Sequence, residues 1–289
     1  MLKTRTAAEP QRLTLQAADG VALAIESRGD SAEPALVFAH GFGQTRHAWD
    51  ASATALAEAG WHCLSMDARG HGDSGWRSDG HYDFPQFVDD LVQLARVPAE
   101  KPILVGASMG GLLGLVAQAE HEVFRALVLV DITPRVDIEG VSKIQAFMRA
   151  NSREGFGSIA EAADAVAAYL PHRPRPRSHE GLKKNLRLHP DGRWRWHWDP
   201  RFLEGNRRIG AGSREVEQAL VAAAKSVTIP ALLVRGGSSE LVQEEHAKDF
   251  VKLVPHATYV DVSGARHMVA GDRNDQFANA IEVFLRTVA

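Results

Sequence analysis

Cysteine is nearly absent from this chain: Cys63 is the only one in 289 residues. No internal disulfide can form, and nothing in the composition calls for an oxidising compartment. Cys63 lies in the apolar stretch Trp61-His62-Cys63-Leu64-Ser65-Met66, where a small buried hydrophobe is the natural reading. Long hydrophobic runs are missing as well. None approaches the roughly 18 apolar residues of a membrane-spanning helix. No apolar run follows the basic residues of the N-terminal segment, so no secretion signal is expected and the cytoplasm is the expected location. An excess of one charge is lacking too. Lys and Arg number 33 against 36 Asp and Glu, so no global basic field draws the protein to nucleic acid. Repeats, low-complexity tracts, metal-ligand spacings and nucleotide fingerprints are not found. The expected partner is therefore a small-molecule substrate, with no cofactor, no metal, no nucleic acid and no membrane; a homodimer is left open.

Hydrophobic residues make up 45% of the chain, enough to bury one large core or two small ones. Leu13 to Ala17 and Val21 to Ser27 read as two antiparallel strands joined at the Asp19-Gly20 turn. Ala35 to His40, Cys63 to Asp67, Ile103 to Ala107 and Ala126 to Asp131 are short continuous apolar runs. Such runs suit strands covered on both faces of a parallel sheet. Helical patterns lie between them, over Arg46 to Ala59, Phe84 to Arg96 and Met109 to His121. The alternation resumes late, with strands at Ala231 to Arg235 and Thr258 to Val262 and helices at Gln243 to Leu253 and Asp275 to Val288. This is the signature of an α/β fold with a mostly parallel, doubly wound sheet.

The stretch from Thr133 to Lys225 breaks that rhythm. It has helical segments, such as Ile159 to Leu170, but no buried-strand run. It carries 17 Lys and Arg against 11 Asp and Glu, where the rest of the chain has 16 against 25. A core domain of residues 1–132 and 226–289, with a helical insertion of residues 133–225, is expected. The Pro171 to Arg177 run and Gly205, Gly210 and Gly212 read as joints that would let the insertion move. Three of the six tryptophans fall in Trp194-Arg195-Trp196-His197-Trp198. In extended backbone they share one face, either walling an apolar substrate pocket or anchoring the insertion.

Gly106-Ala107-Ser108-Met109-Gly110 follows a predicted strand and opens a predicted helix. That is the context of a G-x-S-x-G nucleophile elbow, which lifts Ser108 above the sheet at a helix N-terminus that favours developing negative charge. His40-Gly41-Phe42-Gly43 ends the neighbouring strand, and the N–H groups of Phe42 and Met109 form a candidate oxyanion hole. Together with Asp67-Ala68-Arg69-Gly70-His71-Gly72-Asp73-Ser74 and Gly264-Ala265-Arg266-His267, these blocks, in this order, resemble the α/β-hydrolase superfamily. The resemblance is to its capped, serine-nucleophile, esterase-like members and spans nearly the whole chain. It implies a Ser, acid, His order, with His267 as base and a cap inserted after the sixth strand, where residues 133–225 fall. The acid departs from the commonest pattern. Counting three residues from Gly237 gives Glu240; Asp131, at the end of the sixth strand, is the alternative. Asp67 and Arg69 are expected to pair with each other or with backbone, and His40, His47 and His71 to be structural or pocket-lining. The resemblance implies hydrolysis of carboxylic esters through an acyl-enzyme. A carbon–carbon bond hydrolase, a lactonase and a perhydrolase are alternatives on the same residues, and a ligand receptor with little turnover is the alternative of a different class.

Overall fold

The computed structural model describes residues 9–171, 178–203, 214–272 and 274–288. Eight strands form one sheet: β1 (Gln11–Gln16), β2 (Ala22–Arg28), β3 (Ala35–Ala39), β4 (His62–Met66), β5 (Ile103–Ala107), β6 (Ala126–Val130), β9 (Ala231–Gly236) and β10 (Thr258–Val262). Their order is β1-β2-β4-β3-β5-β6-β9-β10. Only the first two depart from parallel pairing: β1 runs antiparallel to β2, and β2 to β4. The apolar runs β3, β4 and β6 are buried at every residue, as strands covered on both faces must be.

Alternation within each run divides the core in two. Val37 and Ala39 face one layer, where α2 (Phe84–Ala95), α3 (Met109–His121), α7 (Arg214–Lys225) and α8 (Glu244–Leu253) pack. Leu36 and Phe38 face the other, with α1 (Asp50–Glu58) and α10 (Asn274–Val288). Each fully buried Leu or Phe in these layers contributes roughly 1.5–3 kcal/mol. Cys63 is fully buried in the second layer, and burial pushes its thiol up to about 12, so it is an inert core residue.

Between β6 and β9 lie α4 (Ile138–Ala150), α5 (Ile159–Tyr169), the one-turn α6 (Glu180–Lys183) and a small hairpin of β7 (Leu186–Leu188) and β8 (Trp194–Trp196). Met148, Phe156, Ala162, Leu186, Trp196 and Trp198 form a separate small core within them. Helix α7, at the end of the expected insertion, packs against α3, and its Leu220, Ala223 and Ala224 belong to the same buried cluster as the sheet layer. The Arg run after Pro171 and the three glycines expected as joints lie outside the described residues. A final short helix, α9 (Val269–Asp272), precedes α10. No helix among the described residues is long and apolar enough to cross a membrane.

Candidate active site

Ser108 sits between β5 and α3 with φ 48° and ψ −118°. A non-glycine residue held there costs on the order of 1–3 kcal/mol and persists only where its surroundings impose it. The surroundings are visible. A Cβ on Gly106 would lie 2.7 Å from the Gly110 carbonyl oxygen, and one on Gly110 would collide with the backbone of Ala39. The two glycines therefore let β5, α3 and β3 close around the serine. The Ser108 N–H donates to the Val130 carbonyl at 3.1 Å, tying the turn to the end of β6.

The next residue on that strand is Asp131, also left-handed (φ 48°) and fully buried. Its carboxylate accepts three hydrogen bonds: from the Gly236 N–H at 2.9 Å, the Ser239 hydroxyl at 2.6 Å and His267 Nδ1 at 2.8 Å. The loop carrying His267 reaches this point because it packs on the end of β9. Ser238 N–H donates to the Ala265 carbonyl at 2.9 Å, and a side chain on Gly236 would strike the Arg266 carbonyl.

The acid expected from the sequence is thus corrected. Asp131 holds His267, and Glu240 does not. The reason lies in the loop after β9. Ser239 turns its hydroxyl inward, where it also accepts the N–H groups of Leu241 and Val242 at 3.1 and 3.0 Å. Glu240, the next residue, lies against the insertion instead. Its carbonyl packs over Gly140 of α4, its charge acts on Tyr169 of α5, and its Oε2 is buried without a hydrogen-bond partner among the described residues. Ser239 and the Gly236 N–H were missed in the sequence because Gly236-Gly237-Ser238-Ser239 reads as an ordinary turn. The available signal was an Asp directly after the buried strand that pairs with the strand leading into Ser108.

The loop after β3 is held by side chains on both sides of Phe42. The Gly41 N–H donates to Gln44 Oε1 at 3.1 Å, and the Gly43 N–H to His71 Nε2 at 3.1 Å. Among the described residues no hydrogen bond takes up the N–H of Phe42 or of Met109. No hydrogen bond joins Ser108 Oγ to His267 among them either, so the structure pairs His267 with Asp131 and not with Ser108.

His40 is buried, its Nε2 accepts the Ala68 N–H at 3.0 Å and its Nδ1 donates to the Gly41 carbonyl at 2.8 Å, so neither nitrogen is left for a substrate. His47 bonds Asp50 near the start of α1. Asp67 pairs with backbone, as expected, accepting the N–H groups of Arg46 and Asp73 at 2.6 and 2.8 Å, and it also takes the Arg46 guanidinium; it does not pair with Arg69, which makes a two-point contact with Asp90 at 2.6 and 2.7 Å. Buried carboxylates and guanidinium groups need complete partners, and the loop supplies a separate one for each.

The tryptophans divide. Trp194 exchanges backbone hydrogen bonds with Phe156. Trp196 is buried edge-on against Phe156, with ring centroids 5.2 Å apart. Trp198 reaches furthest toward the site, packing 5.5 Å from the Phe42 ring. Trp196 and Trp198 also line a cavity of about 210 Å³ with Trp76 and His189, which includes neither Ser108 nor His267. The hairpin end is bolted to the core loop. Gly72 N–H donates to the His197 carbonyl at 2.7 Å, Tyr82 Oη to Asp199 at 2.7 Å, and Arg187 to the Gly72 carbonyl at 2.6 Å.

Residues 30–274 match the family model described as Serine aminopeptidase, S33. The chain is 30% identical over 255 residues to the esterase Rv0045c of Mycobacterium tuberculosis, spanning 85% of this chain and 80% of that protein. It is 31% identical over 260 residues to the 3-hydroxybutyrate-oligomer hydrolase of Cupriavidus necator, spanning 85% and 86%. The crystal structure of E-2-(acetamidomethylene)succinate hydrolase superposes with a TM-score of 0.84 at 25% identity, covering 96% of this chain and all of that one.

Proposed function

From the premise that the chain belongs to the α/β-hydrolase family described as Serine aminopeptidase, S33, we propose that it hydrolyses carboxylic esters through an acyl-enzyme on Ser108. The observation that carries this reading is the strained Ser108 turn tied to the strand end that bears Asp131 and, through it, His267. The Nδ1–H of His267 is committed to Asp131, which leaves Nε2 as the basic nitrogen. In the proposed reaction Nε2 takes the Ser108 proton as Oγ attacks the ester carbonyl. The Phe42 and Met109 N–H groups, which have no acceptor among the described residues, receive the developing oxyanion. His267 returns the proton to the departing alcohol, then activates the water that releases the acid. The buried Asp131 carboxylate, bonded to Nδ1, stabilises the imidazolium at each stage. Residues 133–203, with Met148 above Gly43 and Trp198 against Phe42, act as the cap that sets substrate choice. The relatives named esterase and oligomer hydrolase support ester chemistry.

The test is p-nitrophenyl acetate hydrolysis with a fluorophosphonate label mapped by mass spectrometry. We expect a burst of one nitrophenolate per chain, an adduct on Ser108 and a loss of kcat on the order of 10⁴ or more in Ser108→Ala. No burst, or an adduct on another residue, would overturn the reading, and absence of turnover on every ester of a panel would return the receptor alternative.

A further inference from the structure

The oxyanion loop has to present one particular N–H while its neighbours are occupied. The peptide between Gly41 and Phe42 is fixed through the Gly41 carbonyl, which accepts from His40 Nδ1 at 2.8 Å and from the Gln44 N–H at 3.1 Å. A trans peptide points its N–H opposite to its carbonyl, so these bonds aim the Phe42 N–H away from the core. The following peptide, between Phe42 and Gly43, is fixed through the Gly43 N–H, and its only acceptor among the described residues is His71 Nε2.

His71 can accept that bond in one state alone. Its Nδ1 lies 3.1 Å from the Arg69 carbonyl oxygen, which can only accept, so Nδ1 carries the proton and Nε2 is the lone-pair nitrogen. The ring is fully buried, edge-on to Phe42 at 5.4 Å, beside His40 at 5.3 Å and against Phe202 at 4.9 Å. Burial, helped by the neighbouring His40 and His197, pulls its titration down to about 3, so the neutral form persists across the working range. The mechanism assigns this histidine no proton transfer. It comes from the sequence block that otherwise serves to hold the loop after β4 in place.

We infer that His71 is a positioning residue for the reaction: by accepting the Gly43 N–H it anchors the C-terminal side of Phe42, so that the preceding peptide, aimed through the Gly41 carbonyl, keeps its Phe42 N–H on the substrate oxyanion. The inference rests on the ester-hydrolase reading. A loop freed at Gly43 can rotate about Phe42, and donors aimed at a developing charge are worth far more than donors that must reorganise. The loss is therefore expected in the transition state and not in ground-state binding.

The variants His71→Leu, which removes the acceptor, and His71→Gln, whose side-chain oxygen restores one, test this. Each is measured for kcat, KM and inhibition by a phenylboronic acid, whose tetrahedral Ser108 adduct places an oxygen in the oxyanion hole. His71→Leu should lower kcat about 10²-fold, the effect of losing one oxyanion donor. Its boronate affinity should weaken by a comparable factor, with KM within about twofold, and His71→Gln should recover at least roughly tenfold of kcat. If a folded His71→Leu keeps kcat and boronate affinity within about twofold, or changes KM alone, the inference is wrong. The wild-type protein gives a second readout that needs no variant. The ¹⁵N spectrum of His71 should show an unprotonated Nε2, coupled across the hydrogen bond to the Gly43 N–H, unchanged from pH 5 to 9. A protonated Nε2 overturns the assignment. Wild-type acylation at Ser108 is scored first, so a failure of the hydrolase reading is seen separately from a failure of the His71 role.

Discussion

The loops that end β6 and β9 each offer a carboxylate, and they are built in opposite ways. Asp131 is fully buried and its two oxygens receive a backbone N–H, a hydroxyl and an imidazole. Glu240 is half-buried, faces the insertion and has an Oε2 with no hydrogen-bond partner among the described residues. A carboxylate fixed by several donors is held still, which is what orienting an imidazole requires. A carboxylate one residue further along an irregular loop, with one more methylene, has neither the donors nor the direction. In the proposed reaction the role of acid falls to the group on which the donors converge, and for the contact to His267 spacing from a glycine is a weaker guide than adjacency in the sheet.

The strongest way to break this comparison is Asp131→Asn. The amide retains the shape but presents an N–H₂ or a weaker acceptor to His267 Nδ1, favouring the wrong tautomer. We expect kcat for ester hydrolysis to fall about 10⁴-fold with KM little changed. Loss of less than about tenfold in a folded variant would show that another group orients His267. The drop should be read near neutral pH, and restoration in alkaline buffer would point to hydroxide replacing the lost base.

Ser239→Ala sharpens the same contrast at a smaller scale. It deletes the 2.6 Å hydrogen bond to Asp131 and leaves the Leu241 and Val242 N–H groups without their acceptor. Removing one of several donors to a carboxylate typically costs about 1.5–3 kcal/mol where the acceptor is charged. We expect a roughly tenfold lower kcat, together with a lower Tm by calorimetry, since the loop between β9 and α8 loses its internal tie. An unchanged kcat with a lowered Tm would limit Ser239 to folding that loop.

Much of this architecture is legible in the sequence because its signals are local. The continuous apolar runs became β3 to β6, the helix expected over Met109 to His121 spans those residues, and the glycine at 106 is required by a backbone contact one turn away. Ser108 and the loop at Phe42 are found the same way, from a strand, a turn and a helix in succession. The acid is not, because its choice depends on how β6, β9 and the loop before α9 come together in three dimensions. The same holds for Asp67 and Arg69, two residues apart in sequence, whose partners Arg46 and Asp90 lie 21 positions away from each. It holds too for α7, whose helical period is plain but whose covering layer depends on α3.

The smallest expected effect belongs to Glu240→Gln, and it is informative because it is small. Among the described residues the carboxylate makes no hydrogen bond through Oε2 and none to His267, so neutralising it should leave kcat on neutral esters within about threefold, well short of the Asp131→Asn loss. Its charge is nevertheless felt in the insertion. Tyr169, stacked on Phe147 at 4.1 Å, is pushed up to about 12, first by burial and second by Glu240. Removing that negative charge makes the phenolate easier to form, so Tyr169 should titrate lower in Glu240→Gln than in the wild type. Burial still acts, so it should stay above the roughly pH 10 of an exposed tyrosine. The chain has three tyrosines, at 82, 169 and 259, so ultraviolet titration with Tyr169→Phe as reference isolates the change. A Tyr169 titration that does not move would mean that Glu240 and Tyr169 are not electrostatic neighbours, and a kcat loss approaching that of Asp131→Asn would restore Glu240 as an acid of the reaction.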